Sequence, residues 1–322
     1  REEHIPYTEG WRGAPGEGTY WDTFTPPEQR HGFDFWHAYG CCDRHLTPHY
    51  WAGDAAVDER IDVQGWSVAH ETDVALDYIA NAGGQHRDPE RPFALFVAFN
   101  PPHTPFDQVP PEYLEPYAGR SSRELLNRPN VSPEGRGSEA LQHVRNYFAA
   151  VTGVDRQVGR ILDALDRHGL AEDTIVVFTA DHGEMMGSHG LMHKGVWYDE
   201  SLLVPFIVRW PGRIAPGRDD LLLSVPDLMP TLLALMGEGD RTPGGVQRRD
   251  LSGTFLGQLL ERPHAALYMQ IDPHRPQLGN RGLRTHEHTF VVQREAHAER
   301  VLLFDNLTDP YQIENVADAR PG

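Results

Sequence analysis

Three short apolar runs restrict the folds open to this chain more than any other feature. They are FALFVAF at residues 93–99, TIVVFTA at 174–180 and VPFIVRW at 204–210. None alternates apolar with polar side chains, so each suits a strand buried on both faces rather than one half open to water. Segments of helical period lie between and beyond them. After Ser67, the residues Val68, Ala75 and Ile79 share one helical face, and Gly83 and Gly84 are expected to end that run. A longer helix is predicted after Ser138, striped by Leu141, Val144, Phe148, Val151, Val158, Ile161, Leu162 and Leu165 and stopped at Gly169. PDLMPTLLALMG, residues 226–237, predicts a further helix with Pro in its first turns and Gly237 after its last.

Helices alternating with apolar strands indicate an α/β fold, here a large mixed, mostly parallel sheet covered by helices on both faces. Ligands of such sheets sit beyond the carboxyl ends of the strands. His103 follows the first run and Asp181–His182 the second, so both are expected at such a position. After Arg262 the pattern shortens to ALYMQI, RGLRT, HTFVVQ and RVLLFD, which predict a small antiparallel sheet, with DPYQIENVA as a helix docked on it. The expected division is a main α/β domain over 1–262 and a small C-terminal α+β subdomain over 263–322. The first sixty residues, rich in Gly, Pro, Trp and His, read as irregular structure. Their aromatic residues Trp11, Tyr20, Trp21, Trp36, Tyr50 and Trp51 suit either a platform for a sugar ring or the core of an apolar-poor region.

Charge narrows the partners. With 47 acidic against 29 basic residues the net charge is -18, which argues against nucleic acid and against anionic membrane surfaces. No apolar run approaches the length of a membrane span. An anionic substrate would need a local basic pocket. Cys41 and Cys42 are adjacent and predict no disulfide framework. Arg1 follows no initiator Met or signal pattern, so the chain is expected to begin downstream of the true N-terminus. The triplets beginning at Asn130 and Asn306 are formal glycosylation acceptors.

The chemistry concentrates in DHGEMMGSHGLMHKG, residues 181–195. A carboxylate and an imidazole just past a strand, followed by Gly183, are natural metal ligands; they would serve equally as a helix N-cap and a surface histidine. His189 and His193 have the spacing of a zinc-protease pair, but Gly190 stands where that motif needs Glu. Lys194 is the one lysine among 29 basic residues. An exposed ion pair is served about equally by Arg, whereas a compact ammonium suits one oxygen of a tetrahedral anion in a tight site. His103, fenced by prolines in NPPHTPF, is a rigidly aimed imidazole or a plain turn histidine.

FVAFNPPHTPF, the long run from Tyr147 to Ile214, SVPDLMPTLLALMG and the closing RGLRTHEHTFVV and LLFDNLTDPYQIENVA together resemble a sulfatase of the arylsulfatase type, within the alkaline phosphatase superfamily. The resemblance implies that Asp181 and His182 are two ligands of a divalent cation, usually calcium, although many members carry Asn at the position of His182. It implies that Lys194 holds the sulfate group and that His103 contacts sulfate and assists the leaving oxygen. The cofactor so implied is Ca2+ or another divalent ion, and the substrate a small-molecule or carbohydrate sulfate ester. The family's nucleophile is a formylglycine made from Cys-x-Pro-x-Arg or Ser-x-Pro-x-Arg, and neither form occurs in this sequence. The upstream Asp pair and the Lys-x-His segment are also absent, so the stretch alone is expected to turn over negligibly. Alternatives are a phosphate or phosphonate monoester hydrolase of the same superfamily and a non-catalytic oxyanion-binding protein.

Overall fold

The computed structural model describes residues 24–319 apart from 41–42, 133, 247–248, 259–260 and 273. Trp11, Tyr20, Trp21, Cys41 and Cys42 therefore lie outside the described residues. The chain forms two compact units, Arg1–Leu125 with Gln142–Leu170, and Leu126–Leu141 with Ala171–Gly322. The boundary read from the sequence at residue 262 falls inside the second unit.

In the first unit a small antiparallel sheet joins β1 (His37–Ala38), β2 (His49–Ala52) and β3 (Ile61–Asp62). Helix α1 (Ser67–Ala80) buries Val68, Ala75 and Ile79 as its period predicts. It ends one step earlier than the glycines suggest, because Asn81 takes the left-handed conformation. The Asn81 side chain makes this possible, its oxygen accepting the backbone N–H groups of His86 and Arg87 at 3.0 and 3.1 Å. After α2 (Ser122–Leu125) comes α3 (Arg136–Arg167), a long helix whose end precedes Gly169 at φ 69°. Val151 of the expected stripe is exposed, and the small residues Ala149, Ala150 and Gly153 pack inward instead. Their size matters: a Cβ on Gly153 would lie 2.5 Å from the Trp66 ring. Trp66, Val68, Val109 and Tyr113 complete this core. Tyr50 and Trp51 are buried as well, on the core side of the two roles open to them.

A buried polar cluster in this unit makes its stability depend on pH. Glu71 accepts a 2.8 Å hydrogen bond from the Tyr50 hydroxyl, and burial pushes its carboxyl up to about 8, only partly offset by that bond. The folded state thus holds a proton that the unfolded chain has released above about pH 4.5, so stability falls as pH rises through that window and levels off above about 8. Glu71→Gln keeps an acceptor for Tyr50 and removes the ionisation. It is expected to raise stability at pH 8 by on the order of a few kcal/mol while changing little at pH 4, read as thermal midpoints across pH. Parallel midpoint curves for the two proteins would contradict this. His37 and His70 meet Nε2 to Nε2 at 2.9 Å, and burial followed by the His70 charge pushes His37 down to about 4.

In the second unit β4 (Val176–Thr179) pairs with β5 (Phe206–Arg209) in an antiparallel ribbon, Val176 opposite Arg209. Helix α4 (Asp199–Leu202) precedes β5, and α5 (Val225–Leu235) opens on a capping box between Ser224 and Asp227. After α6 (Ser252–Phe255), strands β6 (Ala266–Asp272), β7 (Arg275–Arg284), β8 (His288–Arg294) and β9 (Glu299–Asp305) form the antiparallel meander expected after Arg262, in the order β6-β7-β8-β9. One face of the meander, with Val291, Leu302 and Phe304, buries Trp197 and packs on Tyr198 and Leu202.

The mixed α/β class and the C-terminal antiparallel sheet are present; two expected details are corrected. Among the described strands all pairings are antiparallel, and residues 93–99 form no strand. That segment alternates half-buried with exposed positions, and Phe96 is 76% exposed. Apolar continuity reports what environment a run suits, but not which strand pairs with it or in which direction. The expected terminal helix over DPYQIENVA is also replaced by turns. Gln312 there takes φ 54°, and its buried amide bonds to the Asp199 N–H and the Thr289 hydroxyl. Side-chain bonds of this kind compete with a helical ladder.

Candidate functional site

His103 belongs to the first unit and sits on a loop whose backbone is fixed from behind. The ring nitrogen Nε2 of His45, itself 2% exposed, lies 3.0 Å from the His103 carbonyl oxygen and 3.1 Å from that of Thr104. A carbonyl can only accept, so that nitrogen carries a proton shared between the two. Burial pushes His45 below the usual histidine range, though the two carbonyls and Asp43 work against it. Gln108 adds a second tie, its oxygen accepting the His45 backbone N–H at 2.6 Å.

The His103 ring is oriented by its Nδ1. That atom lies 2.9 Å from the Thr104 carbonyl oxygen and 3.2 Å from the Asp43 carboxylate. Both partners accept, so Nδ1 carries a proton and the ring is held by it. Burial alone would raise the Asp43 carboxyl, but hydrogen bonds from His103 and Asn100 outweigh it and hold it below the usual range. A histidine backed by a carboxylate in this way is set to move a proton at its outer nitrogen.

Asp181 and His182 lie in the second unit, directly after β4. The Asp181 Oδ2 and His182 Nε2 atoms are 3.2 Å apart, and the His182 Nδ1–H donates to the Gly183 carbonyl at 2.9 Å. Both ring nitrogens thus face acceptors, and a cation seated between Asp181 Oδ2 and His182 Nε2 would take the place of the proton that otherwise bridges them. Gly183 is required by its surroundings: a Cβ there would lie 2.0 Å from the Glu200 carbonyl oxygen, and its N–H bonds to the Ser201 carbonyl at 2.9 Å. Two adjacent donors of this kind fit one edge of a divalent cation's shell. Calcium takes about six to eight oxygen donors, so the Asp181 carboxylate fits it in kind, the softer His182 imidazole less so, and the pair does not complete its shell. Among the described residues no group of three or more His, Cys, Asp or Glu side chains is arranged to hold a metal.

From Gly183 the loop folds back on itself before reaching Lys194. Met185, Met186 and Met192 are buried, while Lys194 is exposed. Glu184 closes the loop at its neck, accepting the backbone N–H groups of His193 and, at 3.2 Å, Met186. The Met185 N–H reaches the His193 carbonyl at 2.8 Å. Lys194 is thus carried between His193 at φ 68° and Gly195 at φ 85°, in a backbone shape tied on both sides. The segment that follows is locked to the meander by Arg284, whose guanidinium grips both Asp199 oxygens at 2.8 and 2.7 Å.

His189 is used differently from a metal ligand. Its ring stacks on Tyr198 at 3.7 Å, and its Nε2 accepts from the Asn130 amide at 3.1 Å. Asn130 also donates to Glu200 at 2.8 Å, so this buried amide braces His189 and Glu200 together. Asp43, His45, Gln108 and Glu200 were not singled out from the sequence. Each is distant in the chain from the residue it supports.

The sulfatase family profile matches residues 14–238, and that of the N-sulphoglucosamine sulphohydrolase C-terminal region matches 187–321. An endo-4-O-sulfatase of Bacteroides thetaiotaomicron is 41% identical over 314 residues, covering 92% of this chain and 60% of that protein. An ulvan-active sulfatase of Formosa agariphila is 34% identical over 303 residues, covering 91% and 56%. A solved Bacteroides thetaiotaomicron structure, described under the metabolism of multiple glycosaminoglycans, superposes with a TM-score of 0.86 at 39% identity over 94% of this chain and 65% of that one. The chain thus spans between 56% and 60% of the length of these curated relatives.

Proposed function

Because the chain belongs to the sulfatase family, we propose that it serves the hydrolysis of a sulfate monoester carried on a carbohydrate. The observation that carries this is the 41% identity to an endo-4-O-sulfatase sustained over 92% of the chain. The loop geometry supports it, because a neck closed by Glu184 fixes the backbone that carries the chain's single lysine.

In this proposal Lys194 is a point charge on the sulfate, strongest where negative charge gathers on the sulfuryl oxygens as the ester bond breaks. His103, as the imidazolium that the neighbouring Asp43 carboxylate favours, gives its Nε2 proton to the departing alcohol oxygen and keeps Nδ1–H on Asp43. Asp181 and His182 would contribute two donors to a divalent cation, calcium by resemblance, whose charge would add to that of Lys194. The nucleophile, a formylglycine by resemblance, is not encoded by any matching motif in these 322 residues, so the stretch by itself is expected to be inactive.

The test is sulfate release by the protein expressed from its complete reading frame. With calcium present, 4-nitrophenyl sulfate and a 4-O-sulfated glycosaminoglycan oligosaccharide should be cleaved in preference to phenyl phosphonate and 4-nitrophenyl phosphate. A preference for the phosphorus esters would shift the assignment within the superfamily. Tight sulfate binding without turnover would make the protein an oxyanion binder.

A further inference from the structure

Beside Lys194 the meander contributes a polar group whose orientation is fixed. Gln270 on β6 faces Asn280 on β7 as its cross-strand partner, and Tyr268 shares the same face two residues earlier. The Tyr268 hydroxyl donates to Gln270 Oε1 at 3.0 Å, and the Asn280 amide donates to the same oxygen at 3.1 Å. With its oxygen taken by two donors, the amide has one direction left for its nitrogen. That nitrogen lies over Gly195: a Cβ built there would be 2.9 Å from Nε2 and 3.8 Å from Cδ. Gly195 therefore serves two ends, a backbone at φ 85° and the space into which the Gln270 amide extends. Gln270 is itself exposed, so the N–H pair is presented at the surface one residue from the sulfate-holding lysine.

We infer that Gln270 is a specificity-determining residue, whose amide N–H donates to an acceptor oxygen on the sugar ring bearing the sulfate. The inference rests on the proposed sulfatase reaction and adds to it the group that reads the substrate beyond the ester. A neutral donor suits a hydroxyl or ring oxygen beside an anionic group already held by Lys194, and a planar amide braced on one side gives that donor a direction. An aryl sulfate offers no such acceptor.

The test compares wild type, Gln270→Ala and Gln270→Met in the protein from the complete reading frame. The methionine variant keeps most of the volume over Gly195, adds no charge beside Lys194, and loses the donor. Both variants are expected to raise KM for a 4-O-sulfated glycosaminoglycan oligosaccharide by about tenfold or more, with kcat within about threefold. On 4-nitrophenyl sulfate, kcat/KM should stay within about threefold of wild type. Equal losses on both substrates would make Gln270 a support for the Lys194 loop and overturn the inference, as would no loss on either. So would a wild type that cleaves the aryl ester alone. A wild type that releases sulfate from neither substrate would instead remove the underlying reaction, an outcome distinct from the others.

Discussion

Lys194→Ala is expected to lower kcat on an aryl sulfate by about a hundredfold or more, the scale of losing one preorganised charge aimed at a developing anion. Lys194 is the chain's single lysine, and the backbone on either side is fixed by Glu184, by the Met185 to His193 hydrogen bond and by positive φ at His193 and Gly195. Lys194→Arg should recover little, because a planar fork in the same backbone shape spreads its charge over a wider group that cannot approach one oxygen as closely. Steady-state kinetics with unchanged thermal midpoints would check both variants. A rate for Lys194→Ala within threefold of wild type would leave the lysine without the role given to it.

For His103→Ala the expected loss is about a hundredfold to ten-thousandfold in kcat, and its size should depend on the leaving group. A nitrophenolate departs without help, whereas a sugar hydroxyl needs its oxygen protonated, so the carbohydrate ester should show the larger fall. Asp43→Asn tests the support. It retains a side chain beside Nδ1 but exchanges the carboxylate, which now sits 3.2 Å away, for a neutral amide. It should reproduce part of the His103 loss on the carbohydrate ester and little of it on the aryl ester. Equal falls on both esters would point to a structural role for the loop.

What was legible in the sequence follows the range of the forces involved. Helix α1 and the meander were readable because their signals are local, a helical period of about 3.6 residues and short strand-like runs closed by turn formers. Lys194, Asp181 and His182 stood out because their types and spacing are chemical rather than positional. The supports were not readable: Asp43 lies sixty positions before His103, and nothing near either residue specifies that they meet. Gln270 is similar, since its significance comes from a strand register with Asn280 and a contact with Gly195 seventy-five positions earlier. Residues 93–99 failed in the opposite direction. Their composition is that of an interior strand, yet pairing is a property of two segments, and no partner is encoded within the run.

The central claim is that Lys194 holds the sulfate of the substrate. It is tested most directly by a crystal structure of the protein from its complete reading frame with a sulfate ester or inorganic sulfate bound. The expected result is a sulfate oxygen within hydrogen-bonding distance of Lys194 Nζ, at about 2.7–3.0 Å. Sulfate bound elsewhere, with the Lys194 side chain directed into bulk solvent, would contradict it.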